Sequence, residues 1–398
     1  MEEYSWNNTK DDALCKDFKK EHFPGITGKI PLNLKDSDLG LLMIKAIFSI
    51  FLVTSTMAST NDVEKIISSN SLLINDFKYV RSLNIKKKIK IAVIGDYVHP
   101  EEFESIRANL DEVENNGIDD DGNGYIDDFY GYDLNSRNGK LRTPVVGGHE
   151  NGIVSIMDAI ISEYNLIDKV EIIPVNIYSF DGKFDDFRFK KLADSIDYSL
   201  ARGAKIISIS QGVSLYNKYS FRFIDNDYEK SLNYVQAAVE RARKKGAIIV
   251  GSISNDNSRD HVKEPSIPGN LENVLSVANV DAHGVIQSGY GKNVEIAYYG
   301  TDIFVWEGRC EEFIKGFKGE CTELKKTNGF KSVTGSSLST PIVALSLGIL
   351  SATGVEIEMN DEFKNRLQSS CSRSIKANRN VKSKCIFSPG KFTESYLK

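Results

Sequence analysis

The chain has 398 residues, of which 41% are hydrophobic and 26% are charged. These proportions are those of a soluble globular protein with a substantial core, in one large domain or two ordinary ones. The net charge of −5, with no long basic cluster beyond Lys86–Lys88, argues against a nucleic-acid-binding surface.

The N-terminal part carries the features of an export signal. From Met43 the sequence has a basic residue, Lys45, an apolar run over residues 46–53 and a small-residue ending at Ala58. This is the layout of a secretory signal peptide, so we expect translation to start at Met43, residues 1–42 to be a mis-called extension, and residues 43–58 to be removed. A secreted or periplasmic protein without a membrane span in its mature form follows. The alternative is a transmembrane anchor over residues 39–57, in which Lys45 would be costly.

The cysteines support export. Cleavage after Ala58 would remove Cys15 and leave four of the five cysteines, in two close pairs. Exported proteins keep disulfides, whereas cytosolic proteins rarely do. Local pairing is the simplest of three possible connectivities, and it would join Cys310 to Cys321 and Cys371 to Cys385.

Strand-like and helix-like runs alternate from residue 89 onward. The strand-like runs are residues 89–94, 170–177, 204–210, 247–250 and 274–280, and the helix-like runs are 153–161, 187–202, 227–245 and 342–350. Such alternation predicts right-handed βαβ units and an α/β fold with a mostly parallel β-sheet flanked by helices. We place a single large domain at residues 89–354, after a short segment at 59–88 and before a C-terminal extension at 355–398.

Five polar residues fall at the ends of these runs. Asp96, Gln211 and Asn255 follow strand-like runs, and His149 and Ser337 open helix-like runs. In open parallel sheets the carboxyl ends of the strands carry the chemistry, so we expect these residues to share one rim. A serine at a helix start also faces free N–H groups and the positive end of the helix dipole. Pro341 is expected in the first turn of that helix, where its missing N–H costs nothing.

The order Asp96, His149, Ser337 suits nucleophilic catalysis. A serine hydroxyl needs a base to take its proton, and a carboxylate behind the histidine holds its tautomer. Six segments extend this pattern along the chain, namely Gly335–Pro341, Gly148-His149, Asn116–Asp128, Ile209–Gly212, Gly251–Asp256 and Asn273–Ala278. In these segments the chain resembles the subtilisin-like serine peptidases.

The resemblance implies a three-layer subtilisin-like fold and a monomeric endopeptidase, of the bacterial secreted kind, that uses no organic cofactor. Its substrate would be a peptide or protein, cleaved by a Ser-His-Asp triad through an acyl-enzyme. By position, Asn255 would complete the oxyanion hole with the Ser337 backbone N–H. The segment Ser210, Gln211 and Gly212 would line the substrate cleft.

The acid is the main departure from the family pattern. The family's acid block reads Val-Ile-Asp, whereas this chain has Gly95 in that position and Asp96 one residue later. One residue along a strand turns a side chain to the opposite face, unless a bulge at Gly95 re-aims Asp96. Asp96 remains our predicted acid, and Glu150, next to the base, is expected to perturb the His149 pKa. The alternative is an impaired pseudopeptidase that acts as a peptide-binding module.

An acidic loop predicts a second site. Asp119, Asp121 and Asn123 alternate before Gly124, as hard oxygen ligands do at the start of calcium loops. Position twelve is Tyr130 instead of Glu, so Asp128 is expected to close a shorter Ca²⁺ loop. The alternative is a solvated acidic turn without a metal.

Overall fold

The computed structural model describes residues 60–141, 148–178, 188–214, 228–258, 260–263, 265–309, 328–376 and 381–397. The predicted signal peptide and the Cys310–Cys321 pair lie outside these residues. The helices are α1 Thr60–Ser69, α2 Ser71–Asp76, α3 His149–Glu163, α4 Arg188–Ala201, α5 Tyr228–Lys244, α6 Ser336–Ala352, α7 Asp361–Ser369 and α8 Pro389–Leu397, with 3-10 turns at Lys78–Ser82 and Pro100–Glu102.

Thirteen strands are present among the described residues. They are β1 Ile89–Gly95, β2 Tyr132–Asp133, β3 Val170–Asn176, β4 Ile206–Ile209, β5 Val213–Ser214, β6 Ile248–Ser252, β7 Ser266–Ile267, β8 Val274–Val280, β9 Ile296–Tyr299, β10 Ile303–Arg309, β11 Asn328–Val333, β12 Cys371–Ser374 and β13 Cys385–Phe387.

Nine strands form one sheet in the order β12-β13-β9-β8-β6-β4-β1-β3-β2. Every neighbouring pair is parallel except β12 with β13. The β10–β11 and β5–β7 pairs are short antiparallel ribbons outside this sheet. The prediction of a mostly parallel sheet with helices is therefore confirmed.

Alternation along β1 shows how the two cores arise. Ile91 and Val93 belong to the hydrophobic cluster on one face, and Ala92 and Ile94 belong to the cluster on the other. Helices α3 and α6 contribute to the first cluster, and α4 and α5 contribute to the second. Every residue of α6 is buried, which fits a helix that is apolar on all sides and runs through the core.

The segment before β1 is built into the domain. Leu73 and Phe77 are buried in the first core. The Asn70 side chain clamps the backbone of Phe304 in β10, donating to its carbonyl at 2.7 Å and accepting from its amide at 2.9 Å. Residues 60–82 are therefore part of the packed fold.

The C-terminal region extends the sheet. Strand β13 pairs in parallel with β9, and the Cys371–Cys385 disulfide joins β12 to β13. The predicted pairing of these two cysteines is thus present. No helix among the described residues combines the length and the hydropathy that crossing a membrane requires.

Candidate active site

A cleft of about 280 Å³ opens at the carboxyl ends of β4 and β6. Its lining comes from the N-termini of α3 and α6 and from the segments that follow the two strands. The lining residues are His149, Ser210, Gln211, Gly212, Ser252, Ile253, Ser254, Asn255, Ser266, Ser336 and Ser337. The rim that the sequence predicts therefore exists, and it brings together all the predicted catalytic and substrate-binding residues except Asp96.

Ser337 lies in the first turn of α6, which begins at Ser336 rather than near Pro341. Pro341 therefore lies inside the helix, and the prediction of a first-turn proline is wrong. Because Pro341 has no N–H, the Ser337 carbonyl lacks its helical donor four residues on. The Ser210 hydroxyl donates to that carbonyl instead, at 2.9 Å. The carbonyl that Pro341 leaves without a helical donor thus connects Ser337 to the segment after β4.

The Asn255 side chain is oriented by Ser336. Asn255 Oδ1 accepts a hydrogen bond from the Ser336 amide at 2.8 Å. The Ser336 hydroxyl also lies 3.0 Å from this oxygen, and its shorter acceptor is the Ile253 carbonyl at 2.6 Å. This leaves Asn255 Nδ2 without a hydrogen bond to any described residue. A point beside Gly335, where a Cβ would sit, lies 3.0 Å from both Asn255 Nδ2 and Ser337 Oγ. The amide donor and the hydroxyl thus approach a common space, which the absent side chain of Gly335 leaves open.

His149 opens helix α3, and strand β10 fixes this helix end. The Glu307 carbonyl accepts hydrogen bonds from the Gly148 amide and from Asn151 Nδ2, both at 3.1 Å. The His149 side chain is 39% exposed. Ser337 Oγ makes no hydrogen bond to His149 here, and such bonds often tighten only in a substrate complex.

The buried carboxylate of Glu150 contacts the Nδ1 atom of the His149 ring. Its Oε1 lies 3.0 Å from His149 Nδ1, and its side chain is fully buried. Gln211 Nε2 donates to the same oxygen at 2.9 Å, and Tyr178 donates its hydroxyl proton to Gln211 Oε1 at 2.8 Å. Because a carboxylate oxygen only accepts, we place a proton on His149 Nδ1 and direct an N–H of Gln211 Nε2 to Glu150 Oε1. The 3.2 Å contact between Gln211 Nε2 and His149 Nδ1 then joins two donors and is not a hydrogen bond.

Asp96 occupies a different place. Its Oδ1 accepts from the amide of the next residue, Tyr97, at 2.7 Å, and no hydrogen bond joins it to His149. Strand β1 stays in register with β3 as far as Gly95 opposite Asn176, so no bulge re-aims Asp96. The expected contact between Asp96 and the base is therefore not formed.

The charges around the base follow from burial and pairing. Burial raises the pKa of Glu150, but the charge of His149 and the hydrogen bonds from His149 and Gln211 outweigh it and hold that pKa below 4.5. Burial lowers the pKa of His149, but Glu150 and then Asp96 raise it above 6.5. Burial and the charge of Glu150 raise the pKa of Asp96 to about 6. Glu150 is thus the carboxylate that stays ionised most readily.

The acidic loop folds around Glu112, which the sequence reasoning missed. One carboxylate oxygen from each of Glu112, Asp119 and Asp121 lies within 4.8 Å of the others. Glu112 is 3% exposed, and its Oε2 accepts no hydrogen bond from the part of the chain that the structure describes. Such a buried acceptor fits a hard cation.

Two of the four predicted metal ligands are engaged otherwise. Asp128 forms a buried ion pair with Arg202 at 3.1 Å and does not belong to the acidic cluster, so the loop does not close as predicted. Asn123 Nδ2 donates to Asp121 at 3.0 Å and to Asp128 at 3.1 Å. The structure thus replaces Asp128 with Glu112 beside Asp119 and Asp121.

The fold and cleft define a subtilisin-like α/β protein. The sequence profile of the subtilase family, which comprises the S8 peptidases, matches residues 86–380. The chain therefore belongs to the subtilase family of serine-type peptidases.

Individual similarities are more distant. Subtilisin-like protease 1 of Plasmodium vivax is 24% identical over 66% of this chain and 40% of its own length. The epidermin leader peptide-processing serine protease EpiP of Staphylococcus epidermidis is 25% identical over 66% of this chain and 60% of its own length. The chain thus spans less than two thirds of either relative.

Solved structures agree on the fold. A crystal structure of a lanthipeptide protease superposes with a TM-score of 0.56 at 16% identity, covering 84% of this chain and 97% of that one. EpiP from Staphylococcus aureus superposes with a TM-score of 0.52 at 17% identity, covering 85% of this chain and 80% of that one. At such low identity these likenesses concern the fold alone.

Proposed function

We propose that this chain is a serine endopeptidase in which Ser337 is the nucleophile and His149 is the general base. The observation that carries the proposal is the convergence of Ser337, His149 and Asn255 on one cleft. Asn255 Nδ2 supports it, because a cleft donor without a hydrogen-bond partner among the described residues is available to a substrate oxygen.

The proposed reaction follows from these positions. His149 holds its Nδ1 proton toward Glu150, so Nε2 is free to take the proton from Ser337 Oγ as that oxygen attacks the scissile carbonyl carbon. The C–N bond breaks as His149 returns this proton to the leaving amine. In the second half, His149 takes a proton from water as the water oxygen attacks the acyl carbon, and it returns that proton to Ser337 Oγ as the ester C–O bond breaks.

The oxyanion would be stabilised by two donors. Asn255 Nδ2 is one, and the backbone N–H of Ser337 is the other, since first-turn amides of a helix lack intrahelical acceptors. The Ser336 contacts to Asn255 Oδ1 hold the amide so that its N–H₂ group faces the cleft. The donor is therefore in place before the charge develops.

The substrate class is a peptide or protein chain in an extended conformation. Ser210, Gln211 and Gly212 follow β4 along the cleft and would line the bound chain. We propose that the protein acts in a secreted or periplasmic compartment as a monomer. The Cys371–Cys385 disulfide supports export, because disulfides persist in oxidising compartments.

We propose Ca²⁺ for the acidic loop. The residues that would hold it are Glu112, Asp119 and Asp121, and the buried, unpartnered Glu112 Oε2 supports the fit. The ion would supply no catalytic chemistry. It would offset the mutual repulsion of three carboxylates and thereby stabilise the loop.

A fluorophosphonate probe tests the function. The wild-type protein should be labelled at Ser337, and Ser337→Ala should remove the label while leaving the melting temperature within a few degrees. Cleavage of a peptide library should disappear with the same substitution. A folded wild-type protein that neither takes the label nor cleaves any peptide would refute the peptidase proposal.

The second candidate is a peptide-binding pseudopeptidase. The observation that favours it is Gly95 at the position where the family carries its acid. In that case peptides would bind the cleft of the folded wild-type protein, detected by fluorescence anisotropy, without labelling or turnover. Binding with turnover would exclude it.

A further inference from the structure

The side chain that Gly95 lacks would overlap the carboxylate of Glu150. A Cβ at Gly95 would sit 1.9 Å from Glu150 Oε1 and 2.3 Å from its Cδ. Gly95 is not in the left-handed region of backbone conformation, so the backbone does not demand glycine here. Glycine is required by the lack of space, because the Glu150 carboxylate fills the volume into which a side chain at the end of β1 would project.

Glu150 is held in that volume by donors on one oxygen. His149 Nδ1 lies at 3.0 Å and Gln211 Nε2 at 2.9 Å from Oε1. The amide of Gln211 is itself oriented, because its Oε1 accepts from the Tyr178 hydroxyl. Exchanging the oxygen and nitrogen of the Gln211 amide would bring its oxygen against Glu150 Oε1, and both atoms only accept. The Gln211 side chain therefore has a single favourable orientation.

A buried ionised carboxylate is expensive unless its environment compensates. Glu150 is fully buried, and its second oxygen, Oε2, has no hydrogen-bond partner among the described residues. Pairing with His149 is the main compensation, which outweighs burial and keeps the Glu150 pKa low. The contact of Oε1 with His149 is therefore what keeps this carboxylate ionised although its second oxygen is unpaired among the described residues.

We propose that Glu150 is the acid that positions His149, in place of a carboxylate at the end of β1, and that Gly95 is the space it requires. The proposal rests on the peptidase function proposed above. Glu150 acts through His149: it holds the Nδ1 proton on the imidazole and stabilises the imidazolium that forms when Nε2 takes the serine proton. Gln211 and Tyr178 hold Glu150 in turn.

Asp96 is the rival for this role. Asp96 follows Gly95 directly in the sequence and Glu150 fills the space beside Gly95, yet only Glu150 reaches His149 Nδ1. Asp96 instead accepts from the Tyr97 amide. The charged groups that act on the base are Glu150, Asp96 and Glu307, with Glu150 the strongest of the three.

The decisive experiment replaces each carboxylate by its amide and measures peptide hydrolysis. Glu150→Gln should lower kcat by about 10³ to 10⁴-fold with KM changed less than about threefold, as when a triad acid is neutralised. Asp96→Asn should change kcat by less than about tenfold. The matched control is Glu163→Gln in the last turn of the same helix, where the carboxylate meets the exposed Arg81 at 2.6 Å.

A second readout does not depend on turnover. In the wild-type protein, NMR should report His149 as the Nδ1-protonated tautomer with a hydrogen-bonded, downfield Nδ1 proton and a pKa above 6.5. Glu150→Gln should lower that pKa and shift the proton upfield, whereas Glu163→Gln should leave both unchanged. This measurement stays informative in variants that are folded but inactive.

The outcomes separate the two proposals. If wild-type protein is inactive and unlabelled, the peptidase function fails. If the wild-type protein is active, Glu150→Gln is folded with kcat within tenfold, and Asp96→Asn loses 10³-fold or more, then only the role of Glu150 is overturned. The double variant Gly95→Asp/Glu150→Gly moves the carboxylate to the end of β1. Its kcat should be at least about tenfold higher than that of Glu150→Gly alone. Absence of that gain would contradict the claim that the two positions share one space.

Discussion

Substituting Gly95 with alanine is the smallest change that probes the arrangement around the base. The added methyl group would sit 1.9 Å from Glu150 Oε1, and ordinary van der Waals contact begins near 3.4 Å. Either the carboxylate or strand β1 must therefore yield by about 1.5 Å (3.4 minus 1.9). Because β1 is fixed between β3 and β4 by parallel ladders, the Glu150 side chain is the part that moves.

Such a displacement breaks the contact with the base. A shift of about 1.5 Å is large beside a 3.0 Å hydrogen bond, and a 1 Å misplacement can cost about 10²-fold in rate. We therefore expect Gly95→Ala to lower kcat/KM by about 10²-fold or more. It should also lower the melting temperature, because a buried charge loses hydrogen bonds worth about 1.5–3 kcal/mol each.

The assay is a double-mutant cycle with Glu150→Gly, which removes the obstructing carboxylate. Rates of fluorophosphonate labelling and melting temperatures are measured for the wild-type protein, the two single variants and the pair. Gly95→Ala should be nearly neutral in the Glu150→Gly background. Equal losses in both backgrounds would refute the reasoning, because Gly95 would then be required for a reason unrelated to Glu150.

Three further predictions concern the rest of the site. Asn255→Ala should lower kcat by about 10² to 10³-fold with little change in KM in steady-state assays, and a change confined to KM would contradict an oxyanion role. Asp96→Asn should stabilise the protein by about 1–3 kcal/mol above pH 6 in urea titrations, because the Asp96 pKa of about 6 exceeds its ordinary 3.8 and ionisation therefore opposes folding. That gain should fade below pH 4, and a gain independent of pH would refute it. Chelator should lower the melting temperature of wild-type protein but not of Glu112→Gln, and no effect on either would exclude the metal.

The rim of the sheet could be predicted because it depends on topology. Alternating strands and helices fix a parallel sheet, and a parallel sheet brings strand carboxyl ends and helix N-termini to one edge. Ser337, His149 and Asn255 lie at such ends, so their convergence did not require knowledge of any side-chain contact. The same reasoning located the segment after β4.

The metal loop shows where local reasoning stops. Alternating oxygen ligands from Asp119 onward are a local pattern, but the third carboxylate of the cluster, Glu112, precedes the loop and is brought in by its folding. Asp128 looked suitable by spacing, yet Arg202 of helix α4 pairs with it in the interior. Because Arg202 is distant from Asp128 in the sequence, no local sequence pattern predicts this ion pair.

The contact between Glu150 and His149 Nδ1 was not predicted, for a related reason. Neighbouring residues on a helix usually point in different directions, so adjacency to His149 does not predict contact. Whether Glu150 can turn toward Nδ1 depends on empty space at the end of β1, which is a property of a different element. Both residues could be singled out in the sequence, since Gly95 departs from the family's acid block and Glu150 lies next to the base.

Gly95 and Glu150 explain each other when they are considered together. A glycine in ordinary extended backbone is poorly suited to a buried central strand, because it adds conformational entropy and no packing. A buried, ionised glutamate destabilises the fold unless a partner such as the neighbouring histidine compensates its charge. Each feature alone is a liability, but Gly95 provides the volume and Glu150 fills it with a charge directed at the base. A side chain at Gly95 should therefore displace Glu150, and removal of Glu150 should remove the need for glycine at position 95, which is why the double-mutant cycle tests the site more stringently than any single substitution.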